Sequence, residues 1–142
     1  MKKLLLTSAA LLMMTFIFAQ SPIGTWKTVD EETGEPKSHI QIYKAKDGTL
    51  HGKVIKILTP GKENSKCEEC KGDKKNQPIT GMEILKGLSP NGDKWKGGTI
   101  LDPENGKEYK CQMELKDENT LDVRGFVGFA LIGRTQTWKR LK

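Results

Sequence analysis

After residue 19 this chain has no second apolar run of membrane-spanning length, no stretch of ten residues with helical periodicity, no internal repeat and no block of five like charges. A transmembrane helix needs ~20 consecutive apolar residues, so none is expected in this region. Without helical segments, folds that alternate strands and helices are set aside. Without a charge block, a nucleic-acid stripe is not expected, because 18 acidic residues are interspersed among the basic ones. The formal charge of +6 therefore reads as a solvated surface, compatible only with weak attraction to an anionic one. Catalytic signatures are missing as well. None of Ser21, Ser38, Ser65 or Ser89 sits in a nucleophile elbow, and no loop is built to cradle a phosphate. Asp102 and Glu104 fall in a turn, where an aspartate bonds its own backbone. The chain is not expected to be an enzyme.

What is present begins with a leader. Lys2 and Lys3 form a positive start, residues 4–18 are uncharged and mostly apolar, and Ala19 precedes an expected cut before Gln20. This order is that of a secretory signal peptide. No cysteine stands at the cut, which argues against a lipid-anchored lipoprotein. Of the 142 residues, removal of 19 leaves 123, one domain of ordinary size, and the loss of Lys2 and Lys3 takes the charge from +6 to +4. The expected product is exported, to the periplasm or beyond it, with no transmembrane segment remaining.

The rest reads as strand and turn. Residues 25–29 form a first strand, ended by the turn-rich segment 30–36. In residues 38–44, Ile40 and Ile42 share one face and His39, Gln41 and Tyr43 the other. Asp47-Gly48 predicts a two-residue hairpin turn, since Asp-Gly tolerates the positive φ that such turns need. Residues 49–58 return, with a slip of alternation between Val54 and Ile55 that predicts a bulge. Residues 59–80 form a long polar loop of the kind that is functional or mobile. Residues 82–88 fit either a strand or a helical turn. Residues 95–101 read as a strand with a bend at Gly97-Gly98, and residues 102–106 as a hairpin turn. Tyr109, Cys111, Met113 and Leu115 alternate with polar residues, as do Leu121, Val123 and Gly125 after a turn at 117–120. Residues 135–141 close the chain. About eight strands joined by short turns predict an all-β fold: a single antiparallel up-and-down β-barrel over residues 20–142, able to enclose one small ligand.

The three cysteines are Cys67, Cys70 and Cys111. Export permits disulfides, and the odd count leaves at least one thiol unpaired within the chain. Cys67 and Cys70 have the spacing of a redox centre or half a zinc site, but they lie in a polar loop with two glutamates between them. A local disulfide stapling the loop is the favoured reading; a labile redox pair and a metal site are the alternatives. The hairpin turn places His51 opposite Lys44 and His39 near Lys56, too far apart to share a metal, so no metal is expected. Cys111 is expected to be a buried, inert thiol, with bridging to the loop pair as the alternative.

Gly24-Thr25-Trp26, the run from Trp95 through Leu101-Asp102-Pro103 to Gly106-Lys107-Glu108-Tyr109, and Val123-Arg124-Gly125 leading to Gly133-Arg134-Thr135-Gln136-Thr137-Trp138 together resemble the bacterial domain-of-unknown-function 2147 family. That resemblance covers essentially the whole chain after the leader and implies a small exported protein with a lipocalin-like barrel; it leaves the activity open. Gly24 and Trp26 also resemble the opening of lipocalin-type barrels. There the tryptophan plugs the closed end and a basic residue of the last strand, here Arg134 or Arg140, stacks across its indole.

The functional expectation is a module that binds a small, apolar ligand inside the barrel. Tyr43, Trp95, Tyr109 and Met113 are the expected inward contacts, with Phe126 and Phe129 at an apolar lip formed by residues 126–133. No cofactor is expected, and a protein partner is not identified. The alternative is a structural or interaction protein with a packed core, acting through its surface or through the Cys67/Cys70 loop.

Overall fold

The computed structural model describes residues 20–128 and 132–142; the leader at 1–19 and Phe129 lie outside the described residues. Eight antiparallel strands run in sequence order: β1 (Gly24–Val29), β2 (Pro36–Lys44), β3 (Leu50–Ile57), β4 (Glu83–Asn91), β5 (Lys94–Asp102), β6 (Lys107–Asp117), β7 (Thr120–Phe126) and β8 (Gly133–Arg140). Each pairs with its neighbour, and β8 returns to β1 through Trp26 opposite Arg140 and Lys27 opposite Lys139, closing the barrel. The expected all-β, up-and-down barrel is the fold found.

Period two explains the inside. Ile40, Ile42, Cys111, Met113, Leu121 and Val123 are buried, while their chain neighbours face outward or are half-covered. The slip expected in the third strand is present: His39 pairs with Lys56 but Ile40 with Val54, leaving Ile55 as the extra, exposed residue. Of the segment at 82–88, residues 83–88 are strand, the start of β4. Register shifts against β3 between Leu50 and Gly52, and again between Gly52 and Lys53, disturb its alternation and give it a mixed pattern.

The turn at Asp47-Gly48 differs from expectation. Gly48 N–H donates to Ala45 O at 3.0 Å and Ala45 N–H to Thr49 O at 2.9 Å, so the loop has three residues, with Gly48 at φ 85°. This is a type I turn followed by a left-handed glycine, which shifts the pairing by one position. His51 consequently stands opposite Tyr43, not Lys44.

The long segment between β3 and β4 is ordered by its own bonds. Cys67 N–H donates to Gln77 O at 2.9 Å, Asn76 N–H to Cys67 O at 2.8 Å, and Ile79 N–H to Ser65 O at 3.0 Å. Cys67 and Cys70 form a disulfide with Cα atoms 5.3 Å apart, both buried. The segment rests on the β5–β6 turn, with Cys67 Sγ 3.3 Å from the Pro103 carbonyl oxygen. Cys111 is the free thiol, buried in the barrel interior.

Candidate functional site

The two ends of the barrel are unlike. At the end where β1 begins and β8 finishes, Trp26 is fully buried and its Nε1–H donates to Pro22 O at 2.8 Å. The Arg140 guanidinium lies 4.4 Å from the indole centroid. Its Nε donates to Glu118 O at 2.7 Å, Nη1 to Ile23 O at 2.8 Å and Nη2 to Ser21 O at 2.7 Å. Gly24 gives this cation its passage: a Cβ there would stand 2.6 Å from Arg140 Nη1, and its φ of +141° also disfavours a side chain. Of the two arginines proposed for the stack, Arg140 is the one that makes it; Arg134 lies at the opposite end of β8.

Above this plug, the lower half is filled by Ile42, Leu50, Leu85, Leu88, Met113 and Leu121, all buried. The upper half is hollow. Small inner residues supply the space, notably Thr28, Ser38 and Gly125, and the result is an open-ended cavity of about 1150 Å³. Its walls are mixed: Ile40, Val54, Ile84, Ile100, Val123 and Trp138 supply the apolar part, and polar and charged side chains make up the rest. Polar atoms at the wall are satisfied locally. Thr28 Oγ1 and Ser38 Oγ share a hydrogen bond of 2.7 Å, and Trp138 Nε1–H donates to Gln136 Oε1 at 3.1 Å.

The rim is charged in both signs. Lys37 Nζ meets Glu104 Oε1 at 3.0 Å and Arg134 Nε meets Glu31 Oε2 at 3.2 Å, both pairs substantially exposed. Asp30 and Asp102 turn inward to their own loops: Asp30 Oδ1 accepts from the Glu32 and Thr33 N–H groups, and Asp102 Oδ1 from Glu104 N–H. The hydrogen bonds from Thr33 and Glu32 hold the Asp30 carboxyl below the ordinary range. Among the described residues, no three His, Cys, Asp or Glu side chains are grouped to hold a metal ion.

The structure distributes the expected ligand contacts unevenly. Tyr109 and Phe126 line the cavity. Trp95 and Met113 face each other across β5 and β6 in the filled half, where Met113 is buried and Trp95 packs against the core, so neither reaches the cavity. Tyr43 is a correction. Ile40 and Ile42 hold the inner face of β2, which turns Tyr43 outward beside His51, with Lys53 Nζ 5.7 Å from its ring centroid. Partial burial there, and the Glu83 charge, push its phenol pKa up. The outer face also carries a polar chain absent from the expectations: His51 contacts Glu83 through Nδ1 and Thr49 through Nε2, and Thr49 Oγ1 donates to Asp47 Oδ1 at 2.7 Å. The cavity residues missed from sequence include Ile40, Val54, Gln136 and Trp138. Counting back in twos from Trp138 would have placed Gln136 and Arg134 on the inner face.

A search of curated proteins finds no match. Among solved structures, the chain is similar to protein HP1028 from Helicobacter pylori, described as belonging to the lipocalin family. The TM-score is 0.75 at 20% identity, covering 87% of this chain and 85% of that one. That likeness shows the lipocalin-like fold. The family model described as an uncharacterized protein conserved in bacteria, DUF2147, matches residues 24–140, and the chain belongs to that family.

Proposed function

We propose that this protein binds a small, mostly apolar molecule in the open half of its barrel, after export by the leader at residues 1–19. The observation that carries this reading is the contrast between the two ends. One is sealed by Trp26 and Arg140, while the other holds about 1150 Å³ of space in which aliphatic side chains such as Ile40, Val54, Ile84 and Val123 stand among polar and charged ones. Ligand pockets occupy roughly 300–1,000 Å³, so the space is ample even when its open mouth is discounted. The lipocalin-like fold adds support, since eight-stranded barrels of this kind hold single small ligands. Catalysis forms no part of the reading.

The test is native against denaturing mass spectrometry on protein purified gently from its own cell envelope. A reproducible extra mass that is lost on denaturation is the expected result. A bare mass in both spectra, together with no binding of an apolar fluorescent probe, would overturn the proposal. That outcome would favour the interaction protein, for which Val127 (49% exposed) and Ile132 (63% exposed) at the mouth are the supporting feature. The mass also tests export, because a cut before Gln20 leaves residues 20–142.

A further inference from the structure

Resting on the cavity reading, we propose that the ligand is an amphiphile with one anionic head, a fatty carboxylate. Arg134 holds the head at the mouth, and the chain runs down the inner face of β8 toward Trp138.

The register of β8 sets the geometry. Arg134 stands opposite Gly125, Gln136 opposite Val123 and Trp138 opposite Leu121, so the three share the inner face in one column from mouth to floor. The column steps from cation to amide to indole. Four residues of strand at ~3.3 Å each put Arg134 about 13 Å above Trp138, room for a chain of medium length. Beside that column Ile40, Val54, Ile84 and Val123 supply aliphatic wall that can cover methylenes.

Arg134 is the one guanidinium that lines the cavity among the described residues. Opposite it Gly125 has no side chain; a Cβ there would already approach Ile100 Cγ2 at 3.3 Å, so the glycine keeps the space beside the guanidinium open. A planar guanidinium matches a carboxylate through two parallel hydrogen bonds. Its present partner is a carboxylate: Glu31, on the β1–β2 turn, is 3.2 Å away, and the arginine side chain is 71% exposed. Solvated pairs of this kind are weak, so a ligand carboxylate brought in by its buried chain can take the place of Glu31. The other acids lining the mouth, Asp30, Asp102, Glu68, Glu69 and Glu104, keep their charge and stand beside Lys37, Lys62 and Lys66, with Glu104 paired to Lys37; the acid paired with Arg134 itself is Glu31.

Decanoate, decanol and decylammonium share a chain and differ in the head. Each would be titrated against the purified protein carrying N-phenyl-1-naphthylamine, with loss of probe fluorescence as the readout. Decanoate is expected to displace the probe at least tenfold more effectively than decanol. Arg134→Gln is expected to bring decanoate to the level of decanol while leaving decanol unchanged, which also shows that the variant is folded. Equal displacement by decanol, stronger displacement by decylammonium, or an undiminished preference in Arg134→Gln would overturn the head-group inference and leave the cavity reading standing. If neither the probe nor any of the three binds, both fall.

Discussion

Two arginines on one strand divide the work between the ends of the barrel. Arg140 donates three hydrogen bonds to the carbonyls of Ser21, Ile23 and Glu118 while covering the Trp26 indole. Hydrogen bonds to a charged group contribute ~1.5–3 kcal/mol when well formed, and a cation over an indole ~0.5–2 kcal/mol. With allowance for its partial exposure, Arg140→Ala should lower the unfolding free energy by about 2 kcal/mol. Arg140→Lys should recover little, because an ammonium cannot span three carbonyls in one plane. Urea denaturation followed by tryptophan fluorescence measures both. Cys111 makes a second prediction. Burial pushes its thiol pKa up to about 12, so at pH 8 it should resist Ellman's reagent in the folded protein and react only after unfolding. Rapid labelling under native conditions would contradict its burial. The choice between Arg134 and Arg140 was not legible in the sequence, because both fall on the same face at a period of two. Only the direction of β8 separates mouth from plug. The inner placement of Tyr43 failed for a plainer reason: its parity relative to Ile40 and Ile42 already pointed outward, and aromatic character outweighed it.

Turns rather than strands set the details of this barrel. The aspartates Asp30, Asp47 and Asp117 each accept hydrogen bonds from residues two or three further on, and all three carboxyls are held below their ordinary value of 3.8. The leading causes are the Thr33 N–H for Asp30, the Thr49 hydroxyl for Asp47 and the Asn119 N–H for Asp117. A depressed folded pKa means that the charged form is favoured by folding. The three turns should therefore contribute their full stability above the ordinary carboxylate range and lose it as pH falls through the lower folded values. Urea midpoints measured from pH 6 to pH 2 should fall across that window, and Asp30→Asn, Asp47→Asn and Asp117→Asn together should flatten the fall. Strand existence and the Ile55 bulge were legible, because period two carries over most of the chain. The three-residue turn at Asp47-Gly48 was not, since Asp-Gly suits both loop lengths and only the 45–49 backbone bonds distinguish them. A one-residue error then moved His51. Strand pairing also gathers what the linear order disperses. Lys139, Lys27, His39 and Lys56 pair in one row across four strands, and burial, with Lys56 and Lys27 beside it, lowers the His39 pKa.

At the scale of the whole molecule, the closed barrel was legible from strand count and turn spacing, whereas the hollow was not. A cavity arises where small inner residues of separate strands line one space, as the paired Thr28 and Ser38 and, from another part of the wall, Gly125 do, and that gathering needs the registers. Gly125→Leu should fill part of the space against Ile100 and Tyr109, and binding of N-phenyl-1-naphthylamine should fall at least tenfold. An unchanged far-ultraviolet dichroism spectrum would accompany that loss, and undiminished binding would place the probe elsewhere. The plug has a further bearing on how the molecule can be held. Arg140 grips the backbone at Ser21 and Ile23, and Leu141 N–H donates to Thr25 O at 2.9 Å, so the first described residues and the last strand's end both lie at the sealed pole. A short tether joined at Gln20 or Lys142, whether an affinity tag or a chip surface, would hold the barrel by its base and point the mouth away from the support.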